Sequence, residues 1–176
     1  FGTGATVKNL AFTNARCGDG TGAKSGDTFF TQSTDKGEGD MYNIENIYME
    51  LSVGAGWGRY AFGADQQNGF KAKNVIVKML NTTATSGCSA LASNMVVNEG
   101  YLNGVYFVCA TSDAKLAANY KWAGGANATA PDSKFAAFYA SDEAMKEASN
   151  DYSAFAASGY WTIVDGLPVF GVPAEA

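Results

Sequence analysis

The sequence predicts an all-β chain built from stacked repeats, and three observations predict it. A short motif recurs: TVKNLAF at 6–12, NIENIYM at 43–49, KAKNVIV at 71–77 and YLNGVYF at 101–107. Within each copy the apolar residues alternate with period two but slip by one at the Asn. Gly, Asn, Thr, Ser and aromatic residues are plentiful while there are only 3 prolines, a composition of short strands and tight turns rather than helical bundles.

Aligned on the Asn, the copies place Asn9, Asn46, Asn74 and then Gly104 in one column, with steps of 37, 28 and 30 residues, a spacing that suits the rungs of a solenoid. The slip assigns Val7, Leu10 and Phe12 to one face, with Ile44, Ile47, Met49 and Leu51, then Ala72, Val75, Val77 and Met79, then Leu102, Val105 and Phe107. A strict strand cannot absorb that slip without a kink. Asn tolerates the left-handed backbone region better than most residues and Gly enters it without a Cβ penalty, so the Asn-to-Gly exchange at 104 marks a bend with positive φ rather than a catalytic amide.

The connections between copies are long and glycine-rich, and further strands are expected at 28–32, 59–62 and 94–97, with an excursion within 17–40. Residues 111–176 change character. They are alanine-rich, with a helix expected at 142–149, Ser141 as its cap and Asp142 and Glu143 favouring its first turn. An apolar segment, YWTIVDGLPVFGVP, follows, interrupted by the turn Asp165-Gly166. The predicted organisation is therefore repeats over 1–110 and, over 111–176, a C-terminal cap packing on the last repeats, because a solenoid must cover its terminal apolar edge.

The pattern over about 5–110 resembles the right-handed parallel β-helix proteins, in which a bend with a left-handed residue, often Asn, joins two sheets and stacked Asn side chains form a ladder. The W-x-I-x-x-G-L-P-V-F ending resembles the closure that follows β-helical or Gly-rich repeats in surface proteins of gut bacteria and some of their phages. The resemblance implies a right-handed parallel β-helix with a short helix-containing cap; an antiparallel β-sandwich also fits short strands punctuated by turns.

The chain starts at Phe1 with the repeat close behind, as a segment of a longer protein would. The net charge of −5 comes with no basic stripe, which speaks against nucleic acid, and no apolar run approaches the roughly 20 residues of a membrane helix. Cys17, Cys88 and Cys109 have no metal-ligand spacing; buried thiols are the plain reading, and a Cys88–Cys109 bond is the alternative in an extracellular chain. The acidic residues Asp19, Asp27, Asp35, Glu38, Asp40 and Asp65 match no calcium loop, so no metal or other cofactor is expected.

There is no His, and neither Arg16 nor Arg59 sits in a lyase-like setting. The catalytic residues of β-helix polysaccharide lyases and hydrolases therefore map onto no position here, and no enzyme activity is expected. The outward column Tyr48, Ile76 and Tyr106 is too apolar for open water; residues 111–176, an oligomer neighbour and sugar rings are the three covers that fit. Trp57, Arg59 and Tyr60 form a second candidate binding group, on a loop. The expected function is a structural or adhesive module of a phage virion (head fibre, decoration protein or tail spike) or bacterial surface protein. It would be extracellular and either homo-oligomeric or seated among structural subunits, with a carbohydrate-binding module as the alternative and a polysaccharide lyase behind both.

Overall fold

The computed structural model describes residues 4–17, 42–53, 70–82, 88–89, 101–110, 120–121, 132–148 and 150–171. Most of these are in strands. In chain order they are β1 (Thr6–Cys17), β2 (Tyr42–Val53), β3 (Phe70–Thr82), β4 (Cys88–Ser89), β5 (Leu102–Cys109), β6 (Tyr120–Lys121), β7 (Ala136–Tyr139), β8 (Trp161–Val164) and β9 (Leu167–Phe170), with two short helices, α1 (Asp142–Glu147) and α2 (Ser153–Ala156), between β7 and β8.

The main sheet has the order β1-β2-β3-β5-β7, and every neighbouring pair in it is parallel. This corrects the antiparallel sandwich alternative. Antiparallel neighbours join through tight hairpins, whereas the long connections here give the chain room to cross over and re-enter in the same direction. The register offsets, 37 residues at Thr6↔Asn43, 28 at Ile44↔Ala72, 30 at Ala72↔Leu102 and 31 at Val105↔Ala136, reproduce the spacing of the repeat and extend it. β4 and β6, from the connections that follow β3 and β5, pair with each other in a second parallel sheet. The stack thus continues beyond residue 110, because β7 is its fifth strand.

The bend lies where the alternation slips. Asn9, Asn46, Asn74 and Gly104 have φ of 60°, 51°, 54° and 67°. Each turns the strand so that apolar residues on both sides of it face inward, and Ile44, Ile47, Met49 and Leu51, with their counterparts on β3 and β5, are almost wholly buried. Asn14 has a further positive φ of 55°, at a register irregularity between Phe12 and Ala15, and the β2–β3 pair has its own irregularity between Leu51 and Ser52. Cys109 lies in register with Met79 as a buried thiol outside any disulfide, filling space as a small hydrophobe.

Two devices shape the segment after β7. Ser141 caps α1 by accepting a hydrogen bond from the Ala144 amide at 3.1 Å. β8 and β9 pair antiparallel through Asp165 and Gly166, whose φ of 50° and 83° suit the mirror-image turn that matches strand twist. The further strands expected at 28–32, 59–62 and 94–97 lie outside the described residues, as do the acidic positions 19, 27, 35, 38, 40 and 65.

Candidate functional site

The bend brings the three Asn side chains into a ladder. Asn74 Nδ2 donates to Asn46 Oδ1 at 3.0 Å, and Asn46 Nδ2 donates to Asn9 Oδ1, also at 3.0 Å. Asn74 donates as well to the Ala154 carbonyl at 3.2 Å, tying the ladder to α2. In the fourth repeat the amide is gone. A Cβ built on Gly104 would lie 2.8 Å from Phe155 Cε2, so the ring of Phe155 occupies the space an Asn would need. Gly at 104 therefore serves twice, for positive φ and for the close approach of Phe155. Asn74 Oδ1, next to it, is buried and finds no hydrogen-bond partner among the described residues, and the same holds for Trp161 Nε1.

The outward column is in register as Ala11, Tyr48, Ile76, Tyr106 and Ala137. Its cover comes from the chain itself. Met145 of α1, Tyr152 beside α2, Phe155 and Trp161 pack with Ile76, Tyr106, Val108 and Tyr139 into one buried cluster. Aromatic contacts run through it: Tyr106 stacks on Phe155 at 6.0 Å, Phe155 meets Trp161 edge-on at 5.0 Å, Trp161 meets Phe170 edge-on at 4.9 Å, and Phe170 stacks on Tyr48 at 6.5 Å. The phenols inside find acceptors, Tyr106 donating to the Lys134 carbonyl at 3.2 Å and Tyr152 to the Met145 carbonyl at 2.9 Å.

Ile76 and Tyr106, singled out as binding residues, are 2% and 1% exposed and offer no face to a sugar ring or a neighbouring subunit. Tyr48 differs. It is half-buried, at the rim of a groove of about 470 Å³ that runs between the sheet and the β8–β9 hairpin, lined by Lys78, Asp142, Leu167 and Phe170 among others. Trp57, Arg59 and Tyr60 lie outside the described residues. The sequence reading missed Lys78 and Asp142, which form an ion pair on the groove wall. Lys78 follows the ladder Asn by four residues on the outward face, in register with Glu50 and Val108, and a charged side chain two positions after Ile76 on that face was the available signal.

Burial dominates the electrostatics of the two titratable groups on the sheet side of the groove. Burial, with a hydrogen bond to and repulsion from Glu50, pushes the Tyr48 phenol up to about 12, so it stays protonated at neutral pH. Burial lowers the Lys78 pKa, opposed by the nearby Glu143 carboxylate. A second, more polar groove of about 450 Å³ follows the lower ladder, between Lys8, Glu45 and Lys73 on one side and Ala157, Ser158 and Tyr160 on the other. Among the described residues no three metal-ligating side chains converge, and no helix is long and apolar enough to cross a membrane. Comparison with family models, curated proteins and solved structures found no match.

Proposed function

We propose that the chain is a right-handed parallel β-helix acting as a non-catalytic structural or adhesive module on a bacterial cell surface or a phage virion. The Asn ladder carries this reading: such a column forms when successive repeats stack in register, and a chain that travels once around a common core in each repeat stacks them in that way. The β4–β6 pair supports it, since parallel strands from consecutive connections supply a second wall for the coil. The right hand follows from the strong preference of parallel crossovers. A scaffold of this kind holds its surface rigidly at fixed spacing, which suits load-bearing or display more than chemistry.

Structural modules of virions and surface layers work as symmetric assemblies. Light scattering across a concentration series therefore tests the reading: a defined oligomer supports it, and a monomer at every concentration would count against the fibre and decoration roles. A carbohydrate-binding module is the second reading, favoured by the Tyr48 groove, where an aromatic wall formed with Phe170 meets the Lys78–Asp142 pair. A glycan array reports on it directly. Hits weakened at least tenfold by Tyr48→Ala would favour the groove, whereas hits that ignore Tyr48 but disappear with Trp57→Ala would move the site to the loop carrying Trp57, Arg59 and Tyr60.

A further inference from the structure

The ladder has a direction, and that direction leaves one end open. Each Asn amide donates toward the preceding repeat, Asn74 to Asn46 and Asn46 to Asn9. The Asn9 Nδ2 is next in line and has no acceptor among the described residues. Among the described residues β1 is the terminal strand of its sheet, bonded to β2 on one side. The inward column is unfinished at the same place. Leu10 is 45% exposed, while Ile47, Val75 and Val105, in the same register position, are each 0% exposed.

We propose that the outer edge of β1 is a docking surface for one further strand of this repeat pattern, added parallel and in register, with Asn at its bend. The proposal rests on the β-helix reading. The chemistry selects the occupant in three steps. An acceptor at the ladder position would pair with Asn9 Nδ2, and the Oδ1 of a stacked Asn stands there in both existing steps. Apolar residues one and three positions after that Asn would cover Leu10 and Phe12 as Ile47 and Met49 are covered by Val75 and Val77. The exposed backbone of β1 supplies the main-chain pairing common to strand addition.

The two ways a second copy of this chain could dock fit less well. Its β7 edge carries Phe135 at the ladder position, since Ala136 is in register with Val105, and Phe135 is absent from the residues with positive φ. Its own β1 would run antiparallel, which breaks the in-register stacking that the ladder requires.

A peptide copying residues 42–53, YNIENIYMELSV, serves as the probe, with Gly or Val at the position of Asn46 as controls. Amide exchange is followed across the full 176-residue chain. At about ten times its Kd, the Asn peptide should slow exchange of the β1 amides that do not bond to β2 by about tenfold. The Gly peptide, which can bend but offers no acceptor, should bind more weakly, and the Val peptide should have no effect. Leu10→Lys in the protein should abolish the protection. No protection from any peptide, equal protection from the Val form, or concentration-dependent protection of β1 without peptide would each overturn the proposal. If β2 and β3 amides exchange freely in the chain alone, the β-helix reading falls; if they are protected and β1 does not respond, only the docking surface falls.

Discussion

Replacing Gly104 tests whether the ladder ends where it does because of Phe155. Gly104→Ala places a Cβ 2.8 Å from Phe155 Cε2 and 3.3 Å from Cζ, and holds an L residue at φ 67°. The left-handed backbone costs about 1–2 kcal/mol and the overpacking about 1–3 kcal/mol, so a loss of about 2–4 kcal/mol is expected. Gly104→Asn separates the two contributions, because Asn accepts the backbone but keeps the clash. In a Phe155→Ala background, itself costing about 3–5 kcal/mol, the clash is gone. The new amide can then donate to Asn74 Oδ1, which is 3.7 Å from the Cβ position and has no partner among the described residues. A hydrogen bond there contributes about 1 kcal/mol. Urea titrations followed by far-UV circular dichroism on the four proteins close a double-mutant cycle, with an expected coupling of about 2 kcal/mol or more in favour of the pair. Additivity within about 0.5 kcal/mol would refute the claim that Phe155 sets the residue at 104.

Asn46 both donates and accepts in the ladder, so Asn46→Gly should lose about 1–2 kcal/mol of stability, and Asn46→Val about 1–3 kcal/mol more from a β-branched residue at positive φ; equal costs in chemical denaturation would contradict the bend. Burial raises the Tyr48 and Tyr152 phenols to about 12 each and raises Tyr106 and Tyr139 as well. Because these folded-state values lie above the unfolded value near 10, their stabilisation is complete below pH 10 and is lost as pH climbs toward 12. Thermal melts at pH 8–11.5 should fall steeply in the upper part of that range, in step with tyrosinate absorbance; phenols that all titrate near 10 with no loss of stability would sink the reading. Lys78→Met should be neutral or stabilising within about 1 kcal/mol, since the ammonium is desolvated and its pKa lowered by burial, and a loss above about 2 kcal/mol would mean that the Asp142 pair is worth more than its desolvation.

What was legible in the sequence was what the backbone demands. A slip in a period-two pattern has few physical solutions, and a Gly substituting for Asn at the slip narrows them to positive φ, so the bend, the inward column and the register could be read directly. β7 escaped because its AAFY carries no bend residue and its alanines pass for helix formers. The cover on the outward column was readable only as one of three candidates. One local signal favoured it: the unbroken apolar run Val105–Cys109 on β5 is buried throughout, as expected of a parallel strand covered on both faces. The role of Phe155 was out of reach, since contact between residues 51 positions apart follows from the path of the chain and not from any local pattern.

The self-covered outer face changes where a partner can attach. An open stripe of Tyr48, Ile76 and Tyr106 would have made the flank of the stack its adhesive surface, but α1, α2 and the hairpin bury most of it, with Phe155 wedged against Gly104 to hold them there. The hairpin in turn displays Ile163, Val164 and Val169 outward, beside the groove whose rim is Tyr48. Apolar exposure has therefore moved from the middle of the sheet to two margins, the hairpin with its groove and the β1 edge with Leu10. The two margins suit different chemistry. The groove combines aromatic walls with an ion pair, whereas the β1 edge presents backbone groups, an Asn9 amide with no acceptor among the described residues and an exposed Leu10, the combination that the proposed further strand would complete.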